Sequence, residues 1–443
     1  MTRLFGTDGI RGVANVDLTP RTAYELGRAT AHKLIGSQGH LLIGQDTRRS
    51  GDMFVAAVAA GAMSLGADVH RLGICPTPAL AHVTASGQFG AGVMVSASHN
   101  PARDNGLKVV DAAGIKLDDP LEEEIEALML HADELGGPVN SSIGRDLDAR
   151  NRMNDYLAHR LALATRFQID AEVVLDCAHG SGGVVAPQIL AATGASIDVR
   201  FNEPDGININ HECGATHPEV VASIVRETGA DMGFALDGDA DRCVAIDEHG
   251  EVVDGDQLIG IIALDRLSRG TLGAGLCVVS VLSNGGLEDA IKRAGGQIAR
   301  TPVGDKYILD GMIVMNATLG GEKSGHIIVR EHANAGDGIV TALEVLSIVA
   351  ATGRPLSELA AQISLFPQQQ RTIPVRHKEQ WEAEPSFARA VEEARGTLDG
   401  RGRILVRPSG TEQALRIMVE GESAEHVVQI ADQLAALAGE RLN

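Results

Sequence analysis

The chain has 443 residues and a formal charge of −21 at pH 7, because 59 Asp and Glu residues outnumber 38 Lys and Arg residues. This length suits about three domains of roughly 150 residues, each able to bury its own core. The acidic balance argues against a nucleic-acid partner, which requires a basic surface, and the 3% of aromatic residues offer few platforms for stacking bases.

The cysteines and the apolar segments indicate the cellular compartment of the protein. The five cysteines are odd in number and widely spaced, and none forms a C-x-x-C pair. We therefore expect a reducing compartment, with neither a disulfide framework nor a structural zinc site. The opening MTRLFGTDGIRG lacks the apolar region of a signal peptide, and no apolar run is long enough to span a bilayer. We expect a cytoplasmic protein without a membrane partner.

Three segments of the chain repeat one plan. In each, a short apolar strand ends in polar residues, a helical stretch follows, and a glycine opens a second strand. The first strands with their polar ends are LLIGQDTRRSG (41–51), VVLDCAHGSGG (173–183) and CVVSVLSNGG (277–286). The second strands lie at 66–76, 194–204 and 295–302. This order is that of a βαβ unit, so we predict partly parallel sheets with helices on their faces.

Each repeat continues into a further apolar strand with unusual polar residues at its far end. These segments are AGVMVSASHNP (91–101), GFALDGDADR (233–242) and IVMNATLGGEKSGH (313–326). In α/β sheets, ligands bind at the loops beyond the carboxyl ends of the strands. Three similar domains would therefore present three different loops to one shared cleft.

The region from 367 onward follows another plan. It has a charged helical stretch, a pair of strands on either side of RPSGTE, and an amphipathic C-terminal helix, SAEHVVQIADQLAALAG. We therefore predict an α/β protein of four domains. Three similar mixed-sheet α/β domains would occupy 1–152, 153–254 and 255–366, and a smaller α+β domain would occupy 367–443.

The loop DGDADR places Asp237, Asp239 and Asp241 at alternate positions after the apolar strand GFAL. Three carboxylates so close together can bind one hard cation such as Mg2+ if the backbone curls around it. A solvated acidic turn is the plain alternative. An EF-hand is excluded, because Arg242 occupies the sixth loop position, where that loop needs glycine. The D-x-D-x-[T/V] signature of phosphatases that form an aspartyl phosphate stays open, although Asp241 occupies the Thr or Val position.

The motif SASHNP (96–101) ends another apolar strand in a tight turn. Ser98 beside His99, with Asn-Pro closing the turn, is suited to expose a hydroxyl as a nucleophile or as a phosphate carrier. Taken alone, a turn stabilised by the serine hydroxyl is the simpler interpretation. A phosphoserine at Ser98 would add an oxygen ligand to the Mg2+ site, which favours the functional interpretation.

Two further loops carry polar groups suited to a sugar phosphate. In RPSGTE (407–412), a guanidinium group, two hydroxyls and a glycine backbone could cradle an anion, and a plain turn is the alternative. In GGEKSGH (320–326), Glu322 and Ser324 could bind a polyol, with His326 as acid or base, and a glycine-rich loop without a ligand is the alternative. Together the four loops describe phosphoryl transfer on a sugar phosphate.

These loops belong to a longer series of motifs that covers essentially the whole chain. In order, the motifs are FGTDGIRGVAN (5–15), GQDTRRSG (44–51), CPTPALAH (75–82), GVMVSASHNPARDNGLKV (92–109), PDGININHECGATHPE (204–219), DGDADR, TPVGDKY (301–307), GGEKSGH and RPSGTE. With them the sequence resembles the α-D-phosphohexomutase family. The resemblance implies four domains in a heart shape, with a last domain like the TATA-binding protein.

The resemblance also implies roles for individual residues. Ser98 would bear the phosphoryl group, and Mg2+ would be held by its phosphate together with Asp237, Asp239 and Asp241. The transferring phosphoryl group would be surrounded by Arg11, His99, Lys108 and Arg242. Lys108 and His326 are the candidates for general acid and base, in an order that the sequence leaves open. Sugar hydroxyls would be bound by Glu322 and Ser324, the hexose selected with the help of Val303, Gly304 and Asp305, and the non-reacting phosphate bound by Arg407, Ser409, Gly410, Thr411 and Arg416.

The implied reaction is a relay on a hexose phosphate. Phosphorylated Ser98 would donate to O1 of a hexose 6-phosphate, and the 6-phosphate of the resulting 1,6-bisphosphate would return to Ser98. Mg2+ is the implied cofactor, with glucose or glucosamine 1,6-bisphosphate as intermediate or activator. The opening GTDGIRG and the motif CPTPALAH favour the glucosamine branch of the family, whose product leads to UDP-N-acetylglucosamine and the cell wall.

Three alternatives stay open at this point. The first is a mutase of the same fold that acts on glucose or mannose phosphates. The second is a Mg2+-dependent phosphohydrolase that uses Asp237, and the third is a non-enzymatic module that binds a sugar phosphate. The sequence also leaves the oligomeric state open, a homodimer included.

Overall fold

The computed structural model describes residues 3–6, 8–36, 38–409 and 413–443. These residues form two compact units. The first comprises the chain up to residue 281 together with 294–362, and the second comprises 282–293 together with 363–443. Three β-sheets lie in the first unit and one lies in the second, among the residues described.

The first sheet has six strands in the order β1-β5-β4-β2-β3-β6. The strands are β1 (Ile10–Val13), β2 (His40–Gln45), β3 (Asp68–Ile74), β4 (Ala91–Val95), β5 (Asp104–Asp111) and β6 (Asp146–Asp148). The helices are α1 (Pro20–Thr30), α2 (Gly51–Met63), α3 (Thr77–Thr84) and α4 (Asp119–Leu130). Strands β4, β2, β3 and β6 run parallel, so their carboxyl ends meet at one edge, where the loop with Ser98 follows β4.

The core of this domain packs α1 and α2 closely together. Thr19 caps α1 by accepting a hydrogen bond from the Thr22 amide (3.2 Å), and Pro20 begins the helix. A Cβ atom at Gly27 of α1 would lie 2.2 Å from the Val58 carbonyl oxygen. The glycine therefore lets the two backbones approach each other at the helix crossing.

The second sheet has five strands in the order β11-β10-β9-β7-β8. The strands are β7 (Glu172–Asp176), β8 (Ser196–Arg200), β9 (Met232–Leu236), β10 (Cys243–Ile246) and β11 (Val252–Val253). The helices are α5 (Met153–Ala164), α6 (Ala186–Ala191), α7 (Pro218–Thr228) and α8 (Gly255–Ser268). Strand β9 is buried along its whole length, and it delivers the loop DGDADR at its carboxyl end.

The third sheet has four strands in the order β13-β12-β14-β15. The strands are β12 (Leu276–Ser280), β13 (Gln297–Thr301), β14 (Leu319–Gly321) and β15 (Ile327–Val329). The helices along this part of the chain are α9 (Gly285–Arg293), which belongs to the second unit, α10 (Asp305–Val314), α11 (Gly338–Thr352) and α12 (Leu356–Ala360). The prediction of a strand from 313 is wrong, because Ile313 and Val314 are exposed residues at the end of α10 and the strand begins only at Leu319.

The second unit contains a three-stranded antiparallel sheet in the order β16-β18-β17. Its strands are β16 (Gln368–Pro374), β17 (Gly402–Pro408) and β18 (Ala414–Gly421), and its further helices are α13 (Pro385–Thr397) and α14 (Ala424–Arg441). Phe387, Ile417 and Leu434 are among the buried residues that join the helices to the sheet. The predicted strand pair and C-terminal amphipathic helix are both present.

Candidate active site

The loop DGDADR joins β9 to β10 and folds back on itself. The Ala240 amide donates to the Asp237 carbonyl (3.0 Å), and the Arg242 amide donates to Asp237 Oδ1 (3.1 Å). Ala240 lies in the left-handed region, with φ 54°. This curl turns the carboxylates of Asp237, Asp239 and Asp241 toward one point, where one oxygen of each lies within 4.8 Å of the others. We call residues 237–242 the acidic loop.

The acidic loop has the chemistry of a cation site. All three carboxylates are buried, and burial together with the charges of Asp241 and Asp239 raises the pKa of Asp237 well above its usual value. Among the described residues, Oδ1 of Asp239 and Oδ1 of Asp241 have no hydrogen-bond partner. Clustered carboxylate oxygens with unused lone pairs are the ligands that hard dications prefer. The residues present therefore fit Mg2+.

Lys108, on β5, is the positive charge inside this acidic cluster. Its ammonium nitrogen lies 2.7 Å from Asp239 Oδ2, 3.3 Å from Asp241 Oδ2 and 3.2 Å from Asp8 Oδ2. Burial favours the neutral amine, but these three carboxylates hold the pKa of Lys108 well above its usual value. Lys108 is therefore an ammonium at neutral pH.

Ser98 reaches the acidic loop from the first sheet. Its hydroxyl donates to Asp237 Oδ2 across 2.5 Å and lies 3.3 Å from Nδ1 of His99. The residue is fully buried, and its backbone is left-handed, with φ 52°. The fold thus brings the predicted nucleophile to the predicted cation ligands, although 139 positions separate Ser98 from Asp237 in the chain.

Two guanidinium groups and an imidazole belong to the same cluster. Arg11 on β1 and Arg242 in the acidic loop keep 20% and 22% of their side chains exposed, which leaves them accessible to a ligand. Burial and the charges of Arg242 and Arg11 lower the pKa of His99 to about 4. His99 is therefore neutral at pH 7. It can form a hydrogen bond through a ring nitrogen, whereas the two arginines carry positive charge.

His326 lies between β14 and β15 and faces two carboxylates. Its Nδ1 lies 3.7 Å from Asp241 Oδ1, and its Nε2 lies 3.4 Å from Asp305 Oδ2. Burial favours the neutral ring, but the two carboxylates raise the pKa of His326 above its usual value. The Gly336 amide donates to Nε2 (3.1 Å), which favours the neutral tautomer that has no proton on Nε2. With both ring nitrogens facing polar partners, His326 stays a candidate acid or base.

The two loops predicted to bind the sugar lie side by side. The Gly304 amide donates to Glu322 Oε1 (3.2 Å), which joins the loop GGEKSGH to the loop of Val303 and Asp305. Ser324 is exposed, whereas Glu322, Val303 and Asp305 are partly buried. Ser324 is therefore accessible to a ligand from solvent.

The predicted phosphate-binding residues lie in the second unit. Arg407 on β17 is directly opposite Arg416 on β18, so the two residues are cross-strand neighbours. The Ser409 amide donates to the Ala414 carbonyl (2.8 Å), and the Ser409 carbonyl accepts from Lys378 (2.5 Å). The predicted residues Gly410 and Thr411 lie outside the described residues.

Sequence reasoning missed Asp8 and Lys116, which extend the charged cluster. Asp8 contacts Arg11, Lys108 and Lys116, and these cations hold its pKa well below the usual value despite burial. Lys116 also contacts Asp305. Asp8 lies inside the motif GTDGIRG, which indicated the family but gave no role for Asp8. Lys116 follows DAAGI, which carries no chemical signal, and only the fold brings it to the cluster.

Comparison with known proteins identifies the family. Models of phosphoglucomutase/phosphomannomutase match the chain in four parts: alpha/beta/alpha domain I over 2–135, domain II over 154–250, domain III over 254–366 and the C-terminal domain over 372–437. The chain belongs to the phosphoglucomutase/phosphomannomutase family. The predicted family and fold class are thereby confirmed, and no helix in the described part of the chain could cross a membrane.

Individual members of the family resemble this chain along its length. The phosphoglucosamine mutase of Moorella thermoacetica is 48% identical over 441 residues, which cover 99% of each protein. A family member from Burkholderia thailandensis shares the fold with a TM-score of 0.83 and 22% identity, over 99% of this chain and 98% of that one. The N-acetylphosphoglucosamine mutase of Aspergillus fumigatus, in complex with GlcNAc-6P and magnesium, has a TM-score of 0.66 and 20% identity, over 99% and 96% of the two chains.

Proposed function

We propose that this protein interconverts glucosamine 6-phosphate and glucosamine 1-phosphate, the activity for which its relative at 48% identity is named. The observation that carries the proposal is the 2.5 Å contact between the Ser98 hydroxyl and Asp237 inside a cluster of three buried carboxylates. A hydroxyl at that point can carry a phosphoryl group, and an oxygen of that group can join the carboxylates around a cation.

The reaction is a relay that begins and ends with phosphorylated Ser98. The phosphoryl group passes to O1 of glucosamine 6-phosphate, the serine oxygen keeps the electrons of the broken P–O bond, and the sugar hydroxyl gives up its proton. The 1,6-bisphosphate then turns in the site, and its 6-phosphate returns to Ser98. Glucosamine 1-phosphate leaves, and the serine is phosphorylated again. Lys108 and His326 are the groups proposed to move the proton from the sugar hydroxyl to the serine oxygen, with Lys108, an ammonium, as the donor.

The chain supplies positive charge where the phosphoryl group transfers. Lys108, Arg11 and Arg242 oppose the negative charge on that group, and His99 offers a neutral ring beside Ser98. Mg2+, when bound, supplies further charge neutralisation. Its proposed ligands are Asp237, Asp239, Asp241 and the phosphate of Ser98.

The remaining predicted residues are assigned to substrate binding. Glu322 and Ser324 are proposed to bind sugar hydroxyls, and the loop of Val303, Gly304 and Asp305 to help select the hexose. The phosphate that does not react is proposed to bind Arg407, Ser409, Gly410, Thr411 and Arg416. We also propose domain boundaries near 152, 254 and 366, which agree with the gaps between the family models.

The proposal includes the setting of the reaction. The protein would act in the cytoplasm on free sugar phosphates, with glucose or glucosamine 1,6-bisphosphate as activator or intermediate. Its product would feed UDP-N-acetylglucosamine and cell-wall synthesis. A homodimer is the assembly to test, by sedimentation of the purified chain.

Two measurements and one variant test this function. The first compares kcat/KM on glucosamine, glucose and mannose phosphates, and a preference for either neutral hexose contradicts the glucosamine assignment. The second incubates the protein with a hexose 1,6-bisphosphate whose phosphorus is labelled and locates the label in the protein. Label on Asp237, together with release of inorganic phosphate, would indicate a phosphohydrolase. Ser98→Ala is expected to abolish turnover. A Ser98→Ala variant that keeps its biological function would indicate a binding module.

A further inference from the structure

Arg48 lies inside the fold beneath the loop that carries Ser98. It follows β2, and its side chain is fully buried. We call residues 96–104 the serine loop. The Arg48 guanidinium group donates to Asp46 Oδ2 (2.9 Å) and to the carbonyl oxygens of Ser98 (2.9 Å), Asn100 (2.7 Å), Asp104 (3.0 Å) and Pro101. One side chain thus gathers four carbonyls of the serine loop.

Asp46 ties the other side of the same loop to Arg48. The Ser96 hydroxyl donates to Asp46 Oδ2 (2.6 Å), and the Ser98 amide donates to the Ser96 hydroxyl oxygen (2.9 Å). The Arg48 amide donates to Asp46 Oδ1 (2.9 Å). The amide of Ser98 is therefore linked through Ser96 and Asp46 to the residue that binds its carbonyl.

Asn210 continues this arrangement from the neighbouring domain. Its Nδ2 donates to the Ser98 carbonyl (2.8 Å) and to the Asn100 carbonyl (3.1 Å). The acidic loop lies against the same atoms, because a Cβ atom at Gly238 would stand 2.7 Å from the Ser98 carbonyl oxygen. Arg48 and Asn210 thus both donate to the Ser98 and Asn100 carbonyls, directly beside the acidic loop.

The serine loop needs such partners for two physical reasons. Ser98 has a left-handed backbone, which costs energy for a residue with a Cβ atom and persists only where the surroundings enforce it. Its carbonyls point into the protein, where each buried acceptor requires a donor. Arg48 and Asn210 meet both needs by binding backbone carbonyls, whereas the Ser98 hydroxyl contacts Asp237 and His99.

We propose that Arg48 and Asn210 are positioning residues of the phosphoryl transfer. They fix the backbone of the serine loop, and through it they hold the Ser98 hydroxyl at the acidic loop. The inference rests on the proposed function, because it assigns a role in the reaction of Ser98. Misplacing a reacting group by about 1 Å can cost on the order of 100-fold in rate, which sets the size of the expected effect.

The test compares Arg48→Lys with a matched control, Arg28→Lys. Arg28 is also buried and also holds backbone carbonyls in the first domain, since it donates to Ala132 (2.9 Å) and Leu135. It donates to the Ser64 hydroxyl as well (2.6 Å). Both substitutions keep the charge and remove the planar fork of donors, but only one of them touches the serine loop.

We expect Arg48→Lys to lower kcat by about 10- to 100-fold while KM changes by less than about threefold, because the substrate-binding groups stay in place. Amide hydrogen exchange should rise across 96–104. Arg28→Lys should keep kcat and raise exchange around 132–135. A kcat for Arg48→Lys equal to that of Arg28→Lys, or unchanged exchange in the serine loop, overturns the proposal.

Asn210→Gly provides a second variant if Arg48→Lys does not fold. Asn210 has φ 58°, which glycine adopts without strain, so the substitution removes the two donated hydrogen bonds without straining the backbone. We expect kcat to fall by roughly tenfold with faster exchange at 98–100, and an unchanged kcat contradicts the role of Asn210. A wild-type chain that converts no hexose phosphate would refute the proposed function, whereas exchange in the serine loop would still decide whether the two residues fix it.

Discussion

Asp239 shows how one residue serves several parts of the site. Its Oδ2 accepts from the Thr77 hydroxyl (2.5 Å) and from Lys108 (2.7 Å). Its Oδ1 is buried and has no hydrogen-bond partner within the described part of the chain. One oxygen is therefore used to hold the ammonium and the start of α3, while the other is left for a cation. A carboxylate can bind both because it has two acceptor oxygens.

We predict that Asp239→Ala lowers kcat by roughly 10²- to 10³-fold, because the site loses a cation ligand and Lys108 loses its nearest carboxylate. Isothermal titration should show weaker Mg2+ binding in the same variant. Asp198→Ala is the control, since Asp198 forms an exposed ion pair with Arg200 (2.7 Å), and such pairs contribute little. Wild-type Mg2+ affinity in Asp239→Ala would rule out this role.

At the scale of secondary-structure elements, the crossing of α1 and α2 depends on glycine. A Cβ atom at Gly61 of α2 would lie 2.1 Å from the Tyr24 carbonyl oxygen, which mirrors the contact of Gly27 with Val58. Backbone atoms cannot move aside as a side chain can. The two helices are therefore held at a spacing that tolerates no added methyl group.

We predict that Gly61→Ala destabilises the first unit by about 1–3 kcal/mol through overpacking. Gly439→Ala in α14 is the contrast, because its nearest atom is a side-chain carbon of Ile373 at 3.8 Å. Alanine favours a helix interior over glycine by about 1 kcal/mol, so this substitution should stabilise. Thermal unfolding midpoints should move in opposite directions, and equal shifts would show that the crossing is not tight.

The end of β7 carries a pH-dependent contribution to stability. Burial raises the pKa of Asp176 to about 6, although hydrogen bonds from the Gly214 amide (2.7 Å) and the Ala178 amide (2.7 Å) favour its charged form. The folded protein therefore holds this proton more tightly than the unfolded chain. The resulting stability is fully present below pH 3.8 and is lost as the pH rises through about 6.

We predict that Asp176→Asn removes this loss of stability. The thermal unfolding midpoint of the variant, relative to that of the wild type, should therefore rise as the pH increases from about 4 to 7. The difference between a pKa of 3.8 and one of about 6 corresponds to roughly 3 kcal/mol. Differential scanning calorimetry across this range measures the effect. Parallel curves for the two proteins would mean that folding does not raise the pKa of Asp176.

Local patterns predicted most of these elements. The strands β2, β7 and β12 follow from short apolar runs with polar ends, and the meeting of Ser98 with Asp237 follows from the placement of both at carboxyl ends of strands. The strand predicted from 313 was wrong because the letters IVM suit a helix end as well as a strand. Arg48 and Lys116 could not be assigned, since their partners lie far along the chain and only the fold brings them together.

At the scale of the whole molecule, the charge of −21 hides a concentration of cations. Four basic side chains, Arg11, Lys108, Lys116 and Arg242, lie around the acidic loop in the first unit. Asp8 and the three carboxylates of the acidic loop equal these cations in number, so the cluster is far less acidic than the chain as a whole. An acidic protein that acts on an anion needs such local compensation, because its average field repels the substrate. The net charge therefore describes the outer surface better than the site.

In the proposed reaction, Ser98 carries the transferred phosphoryl group. The most direct measurement is the intact mass of the purified chain, followed by peptide mapping after incubation with a hexose 1,6-bisphosphate. We expect an adduct of about 80 Da on the peptide that contains Ser98, absent from Ser98→Ala. Turnover without that adduct, or the same mass on a peptide that contains Asp237, would contradict it.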